Sequence, residues 1–106
     1  MINVVYDRTN HCLTMQGHAY SGEKGHDLVC AAASILAYTL ATSATNAAQA
    51  PGTTSNIKLD TGDAEVVCKP DPKIAGAITL IYDTVCVGFE LLAQNYPKNV
   101  CYTIIE

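Results

Sequence analysis

Residues 2–6 form a short run rich in β-branched side chains, and Asp7, Arg8, Thr9 and Asn10 behind them carry turn chemistry. Residues 12–16 alternate apolar and polar positions, so they should pair back as the second strand of a hairpin. Residues 17–26 hold glycines at 17, 22 and 25 and read as a loop. Asp27 then suits the cap of a helix whose first turn is Leu28, Val29 and Cys30, and Ala dominates the stretch from there to Pro51 and Gly52. Residues 55–60 and 64–69 flank Thr61, Gly62 and Asp63, a second hairpin signal. Pro70 and Pro72 stand where another helix can begin, with Asp71 as its cap. From 73 to 95 the spacing puts Ile74, Ile78, Ile81, Val85, Phe89 and Leu92 on one helical stripe. Pro97 ends that helix, and residues 100–105 make a last strand. The expected order is ββαββαβ, an α/β (α+β) fold in which one mixed or antiparallel sheet packs with two long helices.

Leu80, Val87 and Leu91 fall outside the stripe, so the second helix is apolar over more than one face. One sheet covers one side of it, and the leftover side predicts a C2 homodimer. The 106 residues, 49% of them apolar, suit a single domain over residues 1–106 with a substantial core. Six Lys and Arg against ten Asp and Glu argue against nucleic acid as a ligand, because no basic excess exists to neutralise phosphates. No charge occurs between Asp27 and Lys58, which raises the question of a membrane span. Ser34, Thr39, Thr42, Ser43, Thr45, Asn46 and Gln49 interrupt that stretch too often, and a buried helix with no membrane partner explains it better.

Cysteines stand at 12, 30, 68, 86 and 101, an odd number with no C-x-x-C pair, and residues 1–4 lack the basic start of a signal peptide. A reducing, cytoplasmic location fits that usage better than a disulfide scaffold. His11, His18, His26 and the cysteines show no standard zinc spacing, so no metal is expected.

Chemistry concentrates between 17 and 34. Cys30 lies in the first turn of a helix, where unpaired amides and the positive dipole end favour an anion and so the nucleophilic thiolate. His18 closes a strand that could aim its imidazole at that helix start. A Cys and a His within hydrogen-bond reach are the minimal activated nucleophile, and the same first-turn amides could stabilise an oxyanion. Each residue also has a plainer reading. A Cys in an Ala-rich helix can be core, Asp27 can be only a cap rather than an orienter of the imidazole, and Ser34 can bond back to the carbonyl at 30. Cys12, Cys68, Cys86 and Cys101 read as packing residues.

Gly17, His18 and Ala19, then Gly22, Gly25 and Asp27, then Val29, Cys30, Ala31, Ala32 and Ser34, resemble the signature of the bacterial ribosomal-processing cysteine proteases, the Prp family. The resemblance implies a cytoplasmic cysteine endopeptidase with Cys30 as nucleophile and His18 as general base, and with no metal and no cofactor. Asp27 and Ser34 would support the dyad, while Gly17, Ala19, Gly22, Gly25 and His26 would belong to a substrate-binding loop, expected to act as a lid. It implies homodimers that remove an N-terminal extension, after two Phe residues, from the large-subunit ribosomal protein beside the peptidyl-transferase centre. An acidic chain suits a basic substrate of that kind. Two other readings stay open at this point. One is a non-catalytic ribosome-assembly factor that binds a basic ribosomal protein; the other is a thiol redox protein, for which no resolving cysteine lies near Cys30.

Overall fold

The computed structural model describes residues 1–18 and 27–106. The chain runs β1 (Ile2–Asp7), β2 (Cys12–Gly17), α1 (Leu28–Ala47), β3 (Thr54–Asp60), β4 (Asp63–Lys69), α2 (Ala75–Asn95) and β5 (Val100–Ile105). The ββαββαβ order matches the sequence reading. The five strands form one sheet in the order β3-β4-β2-β1-β5, antiparallel except for the parallel pair β1 and β5.

Register decides which side chains go inside. Val4 pairs with Met15, Tyr6 with Leu13, and Leu13 with Val66, so these residues share one face of the sheet. Ile2, Val4, Tyr6, Leu13, Val66, Cys68 and Val100 are buried there beneath both helices, while Asn3, Gln16 and Glu65 stand exposed on the strands between them. From α1 the face Val29, Ala33, Ala37, Leu40, Ala41 and Ala44 enters the core. Gly88 lets α2 approach it closely: a Cβ on Gly88 would sit 2.6 Å from Leu36 Cδ2 of α1. Both helices are long and apolar enough to cross a membrane by length and composition, yet each lays one face on the sheet.

Two boundaries and one helix face differ from the sequence reading. Helix α1 stops at Ala47, and the chain leaves through the turns Gln49 N–H to Asn46 O and Ala50 N–H to Ala47 O (3.2 and 3.0 Å), well before Pro51. A residue preceding proline is disfavoured in helical conformation, so the helix unwinds early. Helix α2 starts at Ala75, with Ile74 in the cap position and no side-chain cap. Asp71 instead shapes the preceding turn, accepting from the Lys73 amide at 2.9 Å, while its own amide donates to the buried Thr53 hydroxyl at 3.0 Å. The apolar stripe of α2 is also rotated. Ile78, Tyr82, Cys86 and Phe89 are buried at its centre, whereas Ile81, Val85 and Leu92 flank the core. Tyr82 can sit centrally because its hydroxyl donates to the Val66 carbonyl at 3.0 Å and its ring stacks on Tyr6.

His11, at the end of the β1–β2 turn, has φ +48 and is almost fully buried. Its Nε2 lies 2.7 Å from Thr79 Oγ1, and the ring meets Tyr82 edge-on. Burial and the nearby Arg8 guanidinium push its imidazole below the ordinary histidine range.

Candidate active site

Residue His18 follows directly on β2, and Gly17 before it has φ +100, a conformation that leaves no room for a side chain. A Cβ on Gly17 would lie 2.2 Å from the Met1 carbonyl oxygen. Two contacts fix this strand end: the Gly17 amide donates to the Gly62 carbonyl at 2.9 Å, and the Met1 amine donates to the His18 carbonyl.

Cys30 occupies the third position of α1. Asp27 is the cap expected there, and its Oδ1 accepts from the Cys30 amide at 2.9 Å. The cap therefore holds the backbone that carries the thiol. It also corrects one expectation, since the Cys30 amide is engaged by Asp27 and does not serve as an oxyanion donor while the cap is made.

His18 and Cys30 line one cleft of about 210 Å³. Ser34, Ala37 and Tyr38 continue the wall along α1, with Ile2 and Met15 below them from the sheet. Leu59 and Asp60 of β3, the turn residues Thr61 and Gly62, and Ala64 of β4 close the far side. Tyr38 is 52% exposed and Leu59 39% exposed, so two apolar side chains stand at the opening. Ser34 does not bond back to the carbonyl at 30, unlike Thr39 and Thr45, whose hydroxyls donate to the Ile35 and Ala41 carbonyls one turn back. Ser34 lines the cleft one helical turn from Cys30.

Of the residues assigned to a substrate-binding loop, Gly17 lines the cleft. Ala19, Gly22, Gly25 and His26, and the expected lid over 19–26, lie outside the described residues. The sequence reading missed Tyr38, Met15, Leu59, Asp60, Thr61, Gly62 and Ala64 as parts of the site. Tyr38 was within reach, since Cys30, Ser34 and Tyr38 recur every four residues and so share a helix face. The β3–β4 turn signalled a hairpin but not its place in the site, because only the pairing of β2 with β4 brings it alongside His18.

The other cysteines divide by environment. Burial pushes the Cys86 thiol up to about 12 and raises Cys12 and Cys68 as well, which keeps all three in the unreactive thiol form. Cys101 departs from the packing role expected of it. It is exposed on the open face of edge strand β5, while Val100 beside it points into the core. Among the described residues, no group of three or more His, Cys, Asp and Glu gathers as a metal site.

The sequence profile of the cysteine protease Prp family matches residues 1–101. The chain belongs to the Prp family of cysteine proteases. A search of curated protein sequences finds no match. Among solved structures, the chain resembles the essential ribosomal processing protease Prp of S. aureus bound to a covalently linked product peptide. That likeness has 24% identity and TM-score 0.78, and it covers 99% of this chain and 100% of the other. The same S. aureus protease with a substrate peptide gives 20% identity and TM-score 0.69 over 98% and 97% of the two chains. SMU.848 from Streptococcus mutans gives 25% identity and TM-score 0.70 over 98% and 91%. The five-stranded mixed sheet with two helices is the Prp fold, and the chain is a cysteine protease.

Proposed function

We propose that this Prp-family protease removes an N-terminal extension from a large-subunit ribosomal protein through an acyl-enzyme formed on Cys30. The observation that carries the reading is that His18, closing β2, and Cys30, opening α1, line the same cleft. No other cysteine lines that cleft with a histidine among the described residues.

In the proposed reaction the Cys30 thiol passes its proton to the His18 imidazole, and the sulfur attacks the scissile carbonyl. The tetrahedral intermediate collapses as the imidazolium returns the proton to the leaving amine, which departs as the shortened ribosomal protein. The extension stays behind as a thioester on Cys30. His18 then takes a proton from water, whose oxygen attacks the thioester, and the returning proton restores the thiol. The covalently linked product peptide of the S. aureus protease fits such a covalent route. Asp27 supports the step by fixing the Cys30 backbone, and Ser34 lines the cleft one helical turn from Cys30.

The walls fit the substrate class. Ile2, Met15, Tyr38 and Leu59 line the cleft with apolar surface suited to large apolar residues such as Phe before the cut. A net charge of −4 favours encounter with a basic ribosomal protein. The cytoplasm, where ribosomes assemble, is the matching compartment, and reduced cysteines agree with it. A homodimer would cover Leu80, Val87 and Leu91 on α2, which are 67%, 54% and 51% exposed.

The test is to incubate the protein with the unprocessed ribosomal protein of its own organism and follow the product by mass. The wild type should shorten it, Cys30→Ala should not while keeping its unfolding temperature, and His18→Ala should lose several orders of magnitude. Wild-type turnover by Cys30→Ala would remove the mechanism, and an intact substrate under wild-type enzyme would remove the substrate assignment.

A further inference from the structure

The β3–β4 turn lies beside the imidazole. Gly62 in that turn has φ +73, and a Cβ built on it would lie 2.7 Å from His18 Nε2, 3.1 Å from Cε1 and 3.5 Å from Cδ2. One edge of the ring therefore rests against the Gly62 backbone. The Gly62 carbonyl meanwhile accepts from the Gly17 amide at 2.9 Å, so the turn is fastened to the residue beside His18. The ring of the histidine and the backbone of the residue before it are thus both referenced to the same glycine, 44 positions beyond His18 along the chain.

A turn with positive φ does not by itself demand glycine, because Asn adopts this conformation readily. Space is the stricter requirement. Ordinary contact begins near 3.4 Å, so any side chain at 62 obliges the imidazole to retreat by about 0.7 Å. Nothing in the backbone of the turn gains from that restriction, whereas the position of the ring does.

We infer that Gly62 is a positioning residue of the reaction: the bare backbone of the β3–β4 turn is the bed that sets where the His18 imidazole stands relative to the Cys30 thiol. The inference rests on the reading of His18 as general base. A displacement approaching 1 Å in a catalytic group lowers turnover by roughly 10- to 100-fold even where binding is untouched.

Gly62→Asn separates the two demands, since it keeps the turn conformation and fills the space. With a peptide spanning the extension, kcat should fall roughly 10- to 100-fold and KM should stay within about threefold. A Cys101→Ser background, which removes the exposed thiol, lets iodoacetamide report on Cys30. There Gly62→Asn should slow alkylation when His18 is present and add nothing to His18→Ala. Wild-type kcat in Gly62→Asn would overturn the inference, as would equal slowing with and without His18. If His18→Ala itself cleaves normally, the dyad reading has failed instead, which the same series shows separately. Should Gly62→Asn not fold, the wild-type protein decides by nuclear Overhauser contacts between the Gly62 Hα protons and His18 Hε1. Their presence supports the bed and their absence refutes it.

Discussion

Asp27 offers a sharp test of how backbone structure serves the thiol. Its Oδ1 accepts from the Cys30 amide at 2.9 Å at the start of α1, and the first turn holds no other acidic residue. Asp27→Ala removes both the cap and the negative charge at the positive end of the helix. Loss of a cap costs about 1 kcal/mol, and loss of a charge at a partly exposed helix start costs about 0.5 kcal/mol. In a domain of this size the sum of roughly 1.5 kcal/mol lowers the unfolding temperature by about 6–12 °C. Asp27→Asn keeps a cap oxygen and loses the charge, so the helix start should lose about 0.5 kcal/mol, or roughly 2–4 °C.

Activity should follow the same ranking if Asp27 works through the backbone. The uncapped first turn of the Ala variant no longer fixes Cys30, and kcat should fall about tenfold. The Asn variant should stay within about threefold of wild type. Thermal unfolding by circular dichroism and cleavage of an extension peptide measure both quantities on the same samples. An Asn variant with near-native stability that cleaves as poorly as His18→Ala would refute the cap account. The carboxylate charge would then have to act on the imidazole itself.

The packing sets further outcomes. Phe89→Ala, at a fully buried position on α2, should cost about 3–5 kcal/mol in urea unfolding. His11 is held below its ordinary 6.5, so the folded state binds fewer protons than the unfolded one just below that value. Stability should hold above about pH 6.5 and fall as pH drops toward the folded-state value, and His11→Asn should remove that slope in urea titrations. Leu91→Asp, on the exposed face of α2, should convert the proposed dimer to a monomer by light scattering; a dimeric mass unchanged from wild type would place the interface elsewhere.

Most of the elements were legible because local signals agreed with the final packing. The hairpin around Thr61 and Gly62 and the Asp27 cap formed where turn and cap chemistry placed them. Errors arose where one residue served two demands. Asp71 has the chemistry of a helix cap, but Thr53, 18 residues earlier, claims its amide and draws it into the turn before α2. Tyr82 and Cys86 fall off the stripe that spacing predicts for α2, because an amphipathic side chain looks peripheral until its partner is known. For Tyr82 that partner is the carbonyl of Val66, on a strand from the preceding hairpin.

The candidate site divides along the same line. Cys30, its cap and Ser34 lie within eight residues of sequence, so the first two turns of one helix explain their meeting, and a linear motif can record it. The wall opposite depends on register. Gln16 pairs with Asp63 where β2 lies along β4, and only that pairing carries the β3–β4 turn to the strand end that bears His18. A slip of one residue would turn Leu13 and Val66 out of the core, so the burial of those two side chains enforces the alignment. On the proposed reading the apolar core thereby aims the histidine: the packing that stabilises the sheet also sets the distance between the ring and Gly62. A substitution that loosens Leu13 or Val66 should accordingly lower kcat before it unfolds the protein, because the bed shifts while the sheet still holds.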